Sequence, residues 1–300
     1  MASPESLASL GEKGLLHALT SGWKPNPAQV PIGVGDDCAV LRGSKRNHFL
    51  VFKTDAVVES VHFRHDALPR LIGRKALARA LSDLAAMGAT PLAAVVTLGL
   101  PANESVSRLR AVYRGLEQVA RKYDVNLVGG ETTRAAQLFL SIALLGECKG
   151  YRPLLRSTAK PGHLIFVTGR LGGTQTSKHL TFEPRLAEGQ WLAKQKLASS
   201  LMDLSDGLGA DLPRLAEASG VGYELDEKAI PRARGATLAQ ALNDGEDYEL
   251  LFTASPSQAK ALKKKWPFAT SLTCIGVTRR PGKGATKPQI SHGFDHFKQR

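Results

Sequence analysis

The amino-acid sequence predicts a mixed protein of the α/β or α+β class. Apolar segments rich in β-branched residues alternate with segments of helical periodicity along most of the 300 residues, and Gly, Pro or polar clusters separate them. Hydrophobic residues make up 43% of the chain and charged residues 22%, which is typical of a soluble globular protein. A chain of this length can form one large domain or two ordinary ones.

Seven strands and five helices follow from this pattern. The strands are predicted at 48–54, 92–99, 125–130, 138–146, 163–169, 248–253 and 273–277. The helices are predicted at 69–87, 103–123, 184–198, 207–219 and 255–266. Gly88 and Gly220 end the first and fourth helices, because glycine readily adopts the left-handed conformation found there. Gly, Pro and charged residues over 147–161 predict a boundary between two domains, 1–147 and 148–300.

Several classes of protein are disfavoured. The first residues, MASPESLASLGEKG, contain two glutamates and no apolar centre, so no signal peptide is predicted. The longest uncharged apolar stretch, 91–101, has about half of the roughly 20 residues that a membrane helix needs. Cys38, Cys148 and Cys274 are far apart and lack a CxxC spacing, which favours reduced thiols. We therefore expect a cytoplasmic protein with no membrane partner.

The net charge of +13 is concentrated near the C-terminus. Ten Lys and Arg residues and one acid lie between Lys260 and Arg300, and these supply +9 of the total. The basic segments match no nucleic-acid-binding motif and lack interleaved aromatic residues. A solvated surface, or a field that attracts an anionic substrate, is the favoured interpretation, and no nucleic-acid partner is expected.

Acidic residues recur beside glycines and strand ends. They occur in GVGDDCAV (33–40), FKTDAVVESVHF (52–63), ARALSDLAAMGA (78–89), VGGETTR (128–134) and LMDLSDGLGADL (201–212). Each has an ordinary explanation. Asp83 can pair with Arg79 one helical turn earlier, Asp206 can cap helix 207–219, and Asp36 with Asp37 can form a turn.

Together these acids predict a metal site. If the fold brings them close to one another, a hard divalent cation is needed to compensate their charge, and oxygen ligands without Cys or His clusters indicate Mg²⁺ or Mn²⁺. Magnesium held by scattered carboxylates usually also binds substrate phosphates, so phosphoryl transfer is the leading chemistry. No P-loop or protein-kinase motif is present. Metal ions, the glycine-rich segment 168–174 and basic residues such as Arg156 would then hold the nucleotide.

The chain resembles the thiamine-monophosphate kinase family of the aminoimidazole-ribonucleotide synthetase superfamily. The resemblance rests on ordered blocks from about residue 10 to residue 297: GVGDDCAV, TDAVVESVHF, LSDLAAMGATP, GGETTR, RSTAKPG, TGRLGG, MDLSDGL, GEDYELLF and GFDHF. It implies a two-domain fold of the aminoimidazole-ribonucleotide synthetase type, ATP in the cleft between the domains, and a homodimer formed through the N-terminal domains. The implied reaction is the ATP-dependent phosphorylation of thiamine monophosphate, with Mg²⁺ and, as an open question, a monovalent cation such as K⁺.

The resemblance also implies site residues. The magnesium ligands would be Asp37, Thr54, Asp55, Asp83, Glu131, Asp203 and Asp206, of which Asp83 and Asp206 are expected to be the most critical. The ATP contacts would be Tyr113, Gly130, Glu131, Arg156 and Ser205. Thiamine phosphate would contact His62, Glu246 and Phe294, whereas Asp211 is expected to be only a helix residue. The attacking phosphate oxygen is already ionised near neutral pH, so direct in-line transfer without a certain catalytic base is expected.

Four features depart from the family pattern. The family usually has Asp at Glu131, Asp at Gly173 and a small hydroxyl residue at Lys53, and its segment before EPRL is longer than 173–184. Lys53 adds positive charge beside the expected metal ligands.

Two alternatives remain. One is another ATP-using enzyme of the superfamily, similar to aminoimidazole-ribonucleotide synthetase. The other is a non-catalytic basic scaffold or nucleic-acid-binding protein, which would be expected to have lost the metal-binding acids that this chain retains.

Overall fold

The N-terminal half is built on a five-stranded sheet. The computed structural model describes residues 7–176 and 178–282. The first elements in chain order are α1 (Leu7–Thr20), β1 (Ala39–Arg42), β2 (His48–Val58), α2 (Pro69–Ala86), β3 (Thr90–Leu100), α3 (Val106–Lys122), β4 (Asn126–Arg134) and β5 (Phe139–Lys149). The strand order is β1-β2-β5-β3-β4, and only β3 and β4 pair in parallel.

A second five-stranded sheet forms the C-terminal half. Its elements are β6 (Leu164–Thr168), α4 (Leu186–Gln195), β7 (Ser200–Asp203), α5 (Leu208–Ala218), β8 (Gly222–Leu225), α6 (Leu238–Asn243), β9 (Leu250–Ala254), α7 (Pro256–Lys265) and β10 (Leu272–Arg279). The strand order is β7-β9-β6-β10-β8 and all the pairs are antiparallel. Short 3-10 turns lie at Arg156–Thr158 and Thr174–Thr176.

Helix α2 is the central element between the two sheets. Most of its residues are buried, and it packs against β2 and β5 of the first sheet and against α4 and β7 of the second half. Its fit to α3 depends on two glycines: a Cβ at Gly73 would lie 1.9 Å from the Val112 carbonyl oxygen, and one at Gly115 would lie 1.9 Å from that of Arg70. One apolar core runs from the first sheet through α2 to Phe166 and Phe252 of the second.

One face of the N-terminal sheet carries exposed apolar side chains. Thr54 of β2, Ala143 of β5 and Val95 of β3 are register neighbours in one row. Phe52 lies next to this row and is 48% exposed, and Val95 is 39% exposed. Side chains alternate along a strand, so Lys53 and Asp55 point to the opposite face, toward α2. Neighbouring residues of β2 therefore point to opposite faces of the sheet, one exposed and the other packed against α2.

All seven predicted strands and all five predicted helices are present, and the predicted mixed class is confirmed. The prediction missed α1, which is interrupted at Gly11, and also the six-residue helix α6 and the four-residue strands β1, β7 and β8, which are too short to be recognised from sequence. Strand β5 extends to Lys149, two residues beyond the expected boundary at 147. Among the described residues, no helix is both long enough and apolar enough to span a bilayer.

Candidate metal and phosphate site

Three of the predicted acids meet between the two sheets. Asp37 precedes β1, Asp83 lies in α2, and Asp203 ends β7. Each offers a carboxylate oxygen within 4.8 Å of the others, and all three side chains are buried. Two of the acids come from the N-terminal half and one from the C-terminal half, so the folding of the whole chain creates this aspartate cluster (Asp37, Asp83 and Asp203).

Each aspartate of the cluster has a different partner. The Arg156 guanidinium binds both oxygens of Asp37, with Nη2–Oδ1 at 2.5 Å and Nε–Oδ2 at 3.2 Å. The Lys53 ammonium lies 3.0 Å from Asp83 Oδ1. The Ser82 hydroxyl donates to Asp203 Oδ2 at 2.6 Å. Two cations therefore lie against three buried carboxyl groups.

The electrostatics of the cluster suit a hard cation. Burial, and secondly the neighbouring Asp37, raise the pKa of Asp203 to about 7. Burial also raises the pKa of Asp83 well above its usual value, although Lys53 opposes this shift. A divalent cation would remove this penalty by favouring the ionised carboxylates, and the oxygen-only donors match Mg²⁺. The residues present thus fit the metal that the sequence predicted.

Arg156 also ties the loop of Asp36 to the second half. Its backbone N–H donates to Asp36 Oδ2 at 3.1 Å, and its carbonyl oxygen accepts from Ser219 Oγ at 2.6 Å. Burial, and secondly Asp37, raise the pKa of Asp36 to about 7. Asp36 and Asp37 are therefore not a simple solvent-exposed turn, because both carboxylates bind Arg156.

Arg79 does not pair with Asp83, so the ordinary helix-pair explanation is wrong. Arg79 Nε lies 3.1 Å from Asp55 Oδ2, and Arg79 Nη1 donates to the Ala56 carbonyl oxygen at 3.0 Å. The reason is geometric, because β2 runs antiparallel along this part of α2, which places Lys53 beside Asp83 and Asp55 beside Arg79. Asp55 lies beside the aspartate cluster without being one of its members.

Asp206 belongs to a separate group at the start of α5. It pairs with Arg214, which also lies 2.9 Å from Asp211 Oδ1. Asp211 is fully buried and its Oδ2 accepts the Asp206 backbone N–H at 3.0 Å. Gly207 is the N-cap of α5, so Asp206 does not cap this helix as its ordinary explanation assumed. Asp211 lies in the helix, as expected, and also holds the turn that presents Asp206.

Thr54 and Glu131 lie on the exposed face of the N-terminal sheet. Thr54 Oγ1 is 3.2 Å from Ser141 Oγ, and Ser141 and Glu131 are both register partners of Thr97. Glu131 Oε1 accepts the adjacent Thr132 N–H at 2.9 Å. Three strand spacings of about 4.8 Å put roughly 14 Å between β2 and β4. One chain therefore does not bring Thr54 and Glu131 to a single ion.

The other expected ATP contacts are dispersed. Tyr113 is half-buried on α3, where burial raises its pKa. Gly130 has a φ of +155°, and a Cβ there would lie 1.8 Å from the Val96 carbonyl oxygen, so a side chain cannot fit. Ser205 follows β7 and its carbonyl oxygen accepts the Glu246 N–H at 2.6 Å.

The glycine-rich segment 168–174 does not offer the backbone N–H groups of Gly172 and Gly173 to a phosphate. The Gly172 N–H donates to Asp247 Oδ1 at 3.0 Å, and the Gly173 N–H donates to Asp244 Oδ2 at 2.8 Å. These two carboxylates occupy the donors that were expected to face phosphate.

Lys75 connects two of the expected substrate residues, and the sequence interpretation missed it. Lys75 is fully buried; its Nζ lies 2.6 Å from Glu246 Oε1 and donates to the His62 carbonyl oxygen at 2.7 Å. His179 Nδ1 lies 3.5 Å from Glu246 Oε2. The available signal was the spacing of Lys75, Arg79 and Asp83, which places three charges at intervals of four residues on one face of the helix. Phe294, the third expected substrate residue, lies outside the described residues.

Comparisons with known proteins identify the family of the chain. The family model described as AIR synthase related protein, N-terminal domain, matches residues 35–148, and the C-terminal domain model matches 160–267. The chain is 37% identical over 273 residues to a thiamine-monophosphate kinase of Rhodopirellula baltica, with 85% of each chain covered. It is 31% identical over 328 residues to that of Bacillus subtilis, covering 96% of this chain and 100% of the relative.

Solved structures show the same fold. A structure described as AaThiL complexed with AMPPCP and TMP matches with a TM-score of 0.86 at 28% identity, over 99% of this chain and 100% of that chain. A thiamine monophosphate kinase from Aquifex aeolicus matches with a TM-score of 0.74 at 27% identity, over 92% and 96% of the two chains. The expected fold class is therefore confirmed, and the chain belongs to the thiamine-monophosphate kinase family of AIR synthase related proteins.

Proposed function

We propose that this chain transfers the γ-phosphoryl group of ATP to thiamine monophosphate, forming thiamine diphosphate and ADP. The observation that carries the proposal is the buried aspartate cluster between the two sheets. The fold of the chain matches that of a complex with AMPPCP and TMP over 99% of its length. Relatives named thiamine-monophosphate kinase favour this reaction over the aminoimidazole-ribonucleotide synthetase alternative. The retained acids also argue against a non-catalytic scaffold.

The aspartate cluster would hold Mg²⁺, which neutralises phosphate charge and orients the transferring group. Around it, Arg156 fixes Asp37, Lys53 faces Asp83 and Ser82 orients Asp203. These contacts fix the positions of the ligands before the substrates bind. The entropy cost of positioning them during the reaction is therefore smaller. No residue needs to remove a proton from the acceptor, because the monoester oxygen is ionised near neutral pH.

The remaining site assignments are proposals of the same kind. Asp55 and Asp206 would hold further ions beside the cluster, and Tyr113, Gly130, Arg156 and Ser205 would contact ATP. His62, Glu246 and Phe294 would contact thiamine phosphate. Lys75 supports this group because it joins the loops of His62 and Glu246.

We also propose a homodimer formed through the exposed face of the N-terminal sheet. Phe52 and Val95 expose apolar surface there, and a second copy of the chain would bury it. Thr54 and Glu131 lie on the same face but on strands β2 and β4. If they bind one ion together, they come from different copies. The domain division near 147 and a cytoplasmic location, favoured by the free cysteines, complete the proposal.

One assay tests the reaction. The purified chain is incubated with ATP, Mg²⁺ and thiamine monophosphate, and thiamine diphosphate and ADP are quantified by chromatography. Equal amounts of both products are expected, without a phosphorylated protein. Absence of thiamine diphosphate from a folded preparation, or isolation of a kinetically competent phosphoenzyme, would contradict the proposal.

A further inference from the structure

Lys53 has an unusual position for a lysine. It lies in β2, where its register partner is Leu144 of β5, and its ammonium group lies 3.0 Å from Asp83 Oδ1. Its side chain is only 27% exposed. Strand alternation directs the side chain to the face that packs against α2, which places the ammonium beside Asp83.

The charges of the cluster explain what Lys53 does there. Arg156 compensates Asp37, Ser82 supplies only a neutral hydrogen bond to Asp203, and Lys53 is the cation against Asp83. A buried carboxylate is costly without a cation or hydrogen-bond donors. A small hydroxyl residue at position 53 would leave Asp83 without this charge and would add a neutral oxygen ligand instead, a combination that suits a divalent ion.

We propose that the Lys53 ammonium replaces one divalent cation on Asp83, so that this chain binds one ion fewer than a variant with a hydroxyl residue at position 53. The inference rests on the proposed metal-dependent function and extends it to the number of ions. A covalently attached cation is always present at high local concentration, whereas a divalent ion must be bound from solution. The aspartate cluster of this chain is thus partly neutralised before any metal binds.

The test is a titration with Mn²⁺, which can be followed because free Mn²⁺ has a six-line electron paramagnetic resonance spectrum that is lost on binding. We compare the wild-type chain with K53S, K53R and the matched control K149S, each with and without AMPPCP. Lys149 also pairs with a carboxylate in the N-terminal sheet, at 2.5 Å from Glu147 Oε1, but lies outside the aspartate cluster. We expect K53S to bind one more Mn²⁺ per chain than wild type, and K53R and K149S to bind the wild-type number.

Each outcome decides the inference. Equal and non-zero stoichiometry in wild type and K53S, or an additional ion in K53R, overturns it. If K53S unfolds in EDTA, folding restored by millimolar Mn²⁺ supports the inference, and failure to restore folding overturns it. Loss of the proposed function has a different signature, namely no Mn²⁺ binding by any variant in the presence of AMPPCP together with no thiamine diphosphate formation.

Discussion

The Lys75 ammonium lies 2.6 Å from Glu246 Oε1, and Lys75 is fully buried. The pair joins helix α2 of the N-terminal half to the loop before β9 in the C-terminal half. Lys75 also donates to the carbonyl oxygen of His62. One buried cation therefore controls the relative position of two loops that we assign to substrate binding.

Replacing Lys75 should affect thiamine monophosphate more than ATP. K75M leaves Glu246 without its main cation, and we expect the free energy of unfolding to fall by about 3–5 kcal/mol. The KM for thiamine monophosphate should rise about tenfold, equivalent to roughly 1.4 kcal/mol, with little change in the KM for ATP. Urea unfolding and steady-state kinetics measure both effects. K13M is the matched control, since Lys13 forms an equally short pair with Glu217 that is exposed, and such a pair contributes about 1 kcal/mol or less. If K75M raises the KM for both substrates equally, and K75R does so too, Lys75 has a purely structural role.

Glu246 should make stability depend on acidic pH. Burial opposes its ionisation, but the hydrogen bond from His179 and the charge of Lys75 outweigh burial and lower its pKa from 4.5 to about 2. A lowered carboxyl pKa stabilises the folded state above the unfolded pKa, and this stabilisation is lost as the pH falls from about 4.5 to about 2. Its size is on the order of 3 kcal/mol. Urea titrations from pH 6 to pH 2 should show the stability of wild type converging on that of E246Q, while E217Q remains parallel to wild type. A constant difference between wild type and E246Q would refute the assignment.

Asp83 should be required for turnover and not for folding. D83N keeps the shape of the side chain but removes a charge from the aspartate cluster, so we expect kcat to fall by about 10²–10³-fold. Circular dichroism and Tm should show a folded protein. D66N is the control, because Asp66 is exposed, pairs with the nearby Arg64 and lies outside the aspartate cluster. Near-normal turnover of D83N at ordinary Mg²⁺ concentrations would contradict the assignment of the aspartate cluster as a metal site.

Mixing two inactive variants tests whether the site is shared between copies. If Thr54 and Glu131 act on one ion from different copies, a mixed dimer of T54A and E131A contains one intact pair. Random mixing should restore about a quarter of wild-type activity, since half of the dimers are mixed and each has one intact site. Unfolding and refolding the two variants together, followed by the kinase assay, gives the measurement. Refolding each variant alone is the control, and a mixture no more active than the separately refolded variants would contradict an ion shared between copies.

Phe294 should contribute to recognition of the vitamin. An aromatic ring attracts the cationic thiazolium and the flat pyrimidine by about 0.5–2 kcal/mol. F294A should therefore raise the KM for thiamine monophosphate by about threefold to thirtyfold, with F294W tolerated. The KM for ATP and the Tm should change little. A lower Tm together with an equal rise in the KM for both substrates would show that the ring has a structural role.

The sequence by itself determined the class of the fold, its main helices and strands, and the acids that form the aspartate cluster. These features are local: periodicity identifies α2 and β2, and acid-containing motifs that resemble those of the family mark Asp37, Asp83 and Asp203 among the seven expected metal ligands. The sequence also marked Lys53 as an added charge near the expected ligands.

Only the tertiary structure decided which charges meet. The packing of β2 against α2 pairs Lys53 with Asp83 and Asp55 with Arg79, whereas helix spacing alone favoured Arg79 with Asp83. The same packing buries Lys75 against Glu246, and strand alternation puts Thr54 and Asp55 on opposite faces of the sheet. Partners far apart in sequence are selected by the angle and register of packed elements, which no local pattern records.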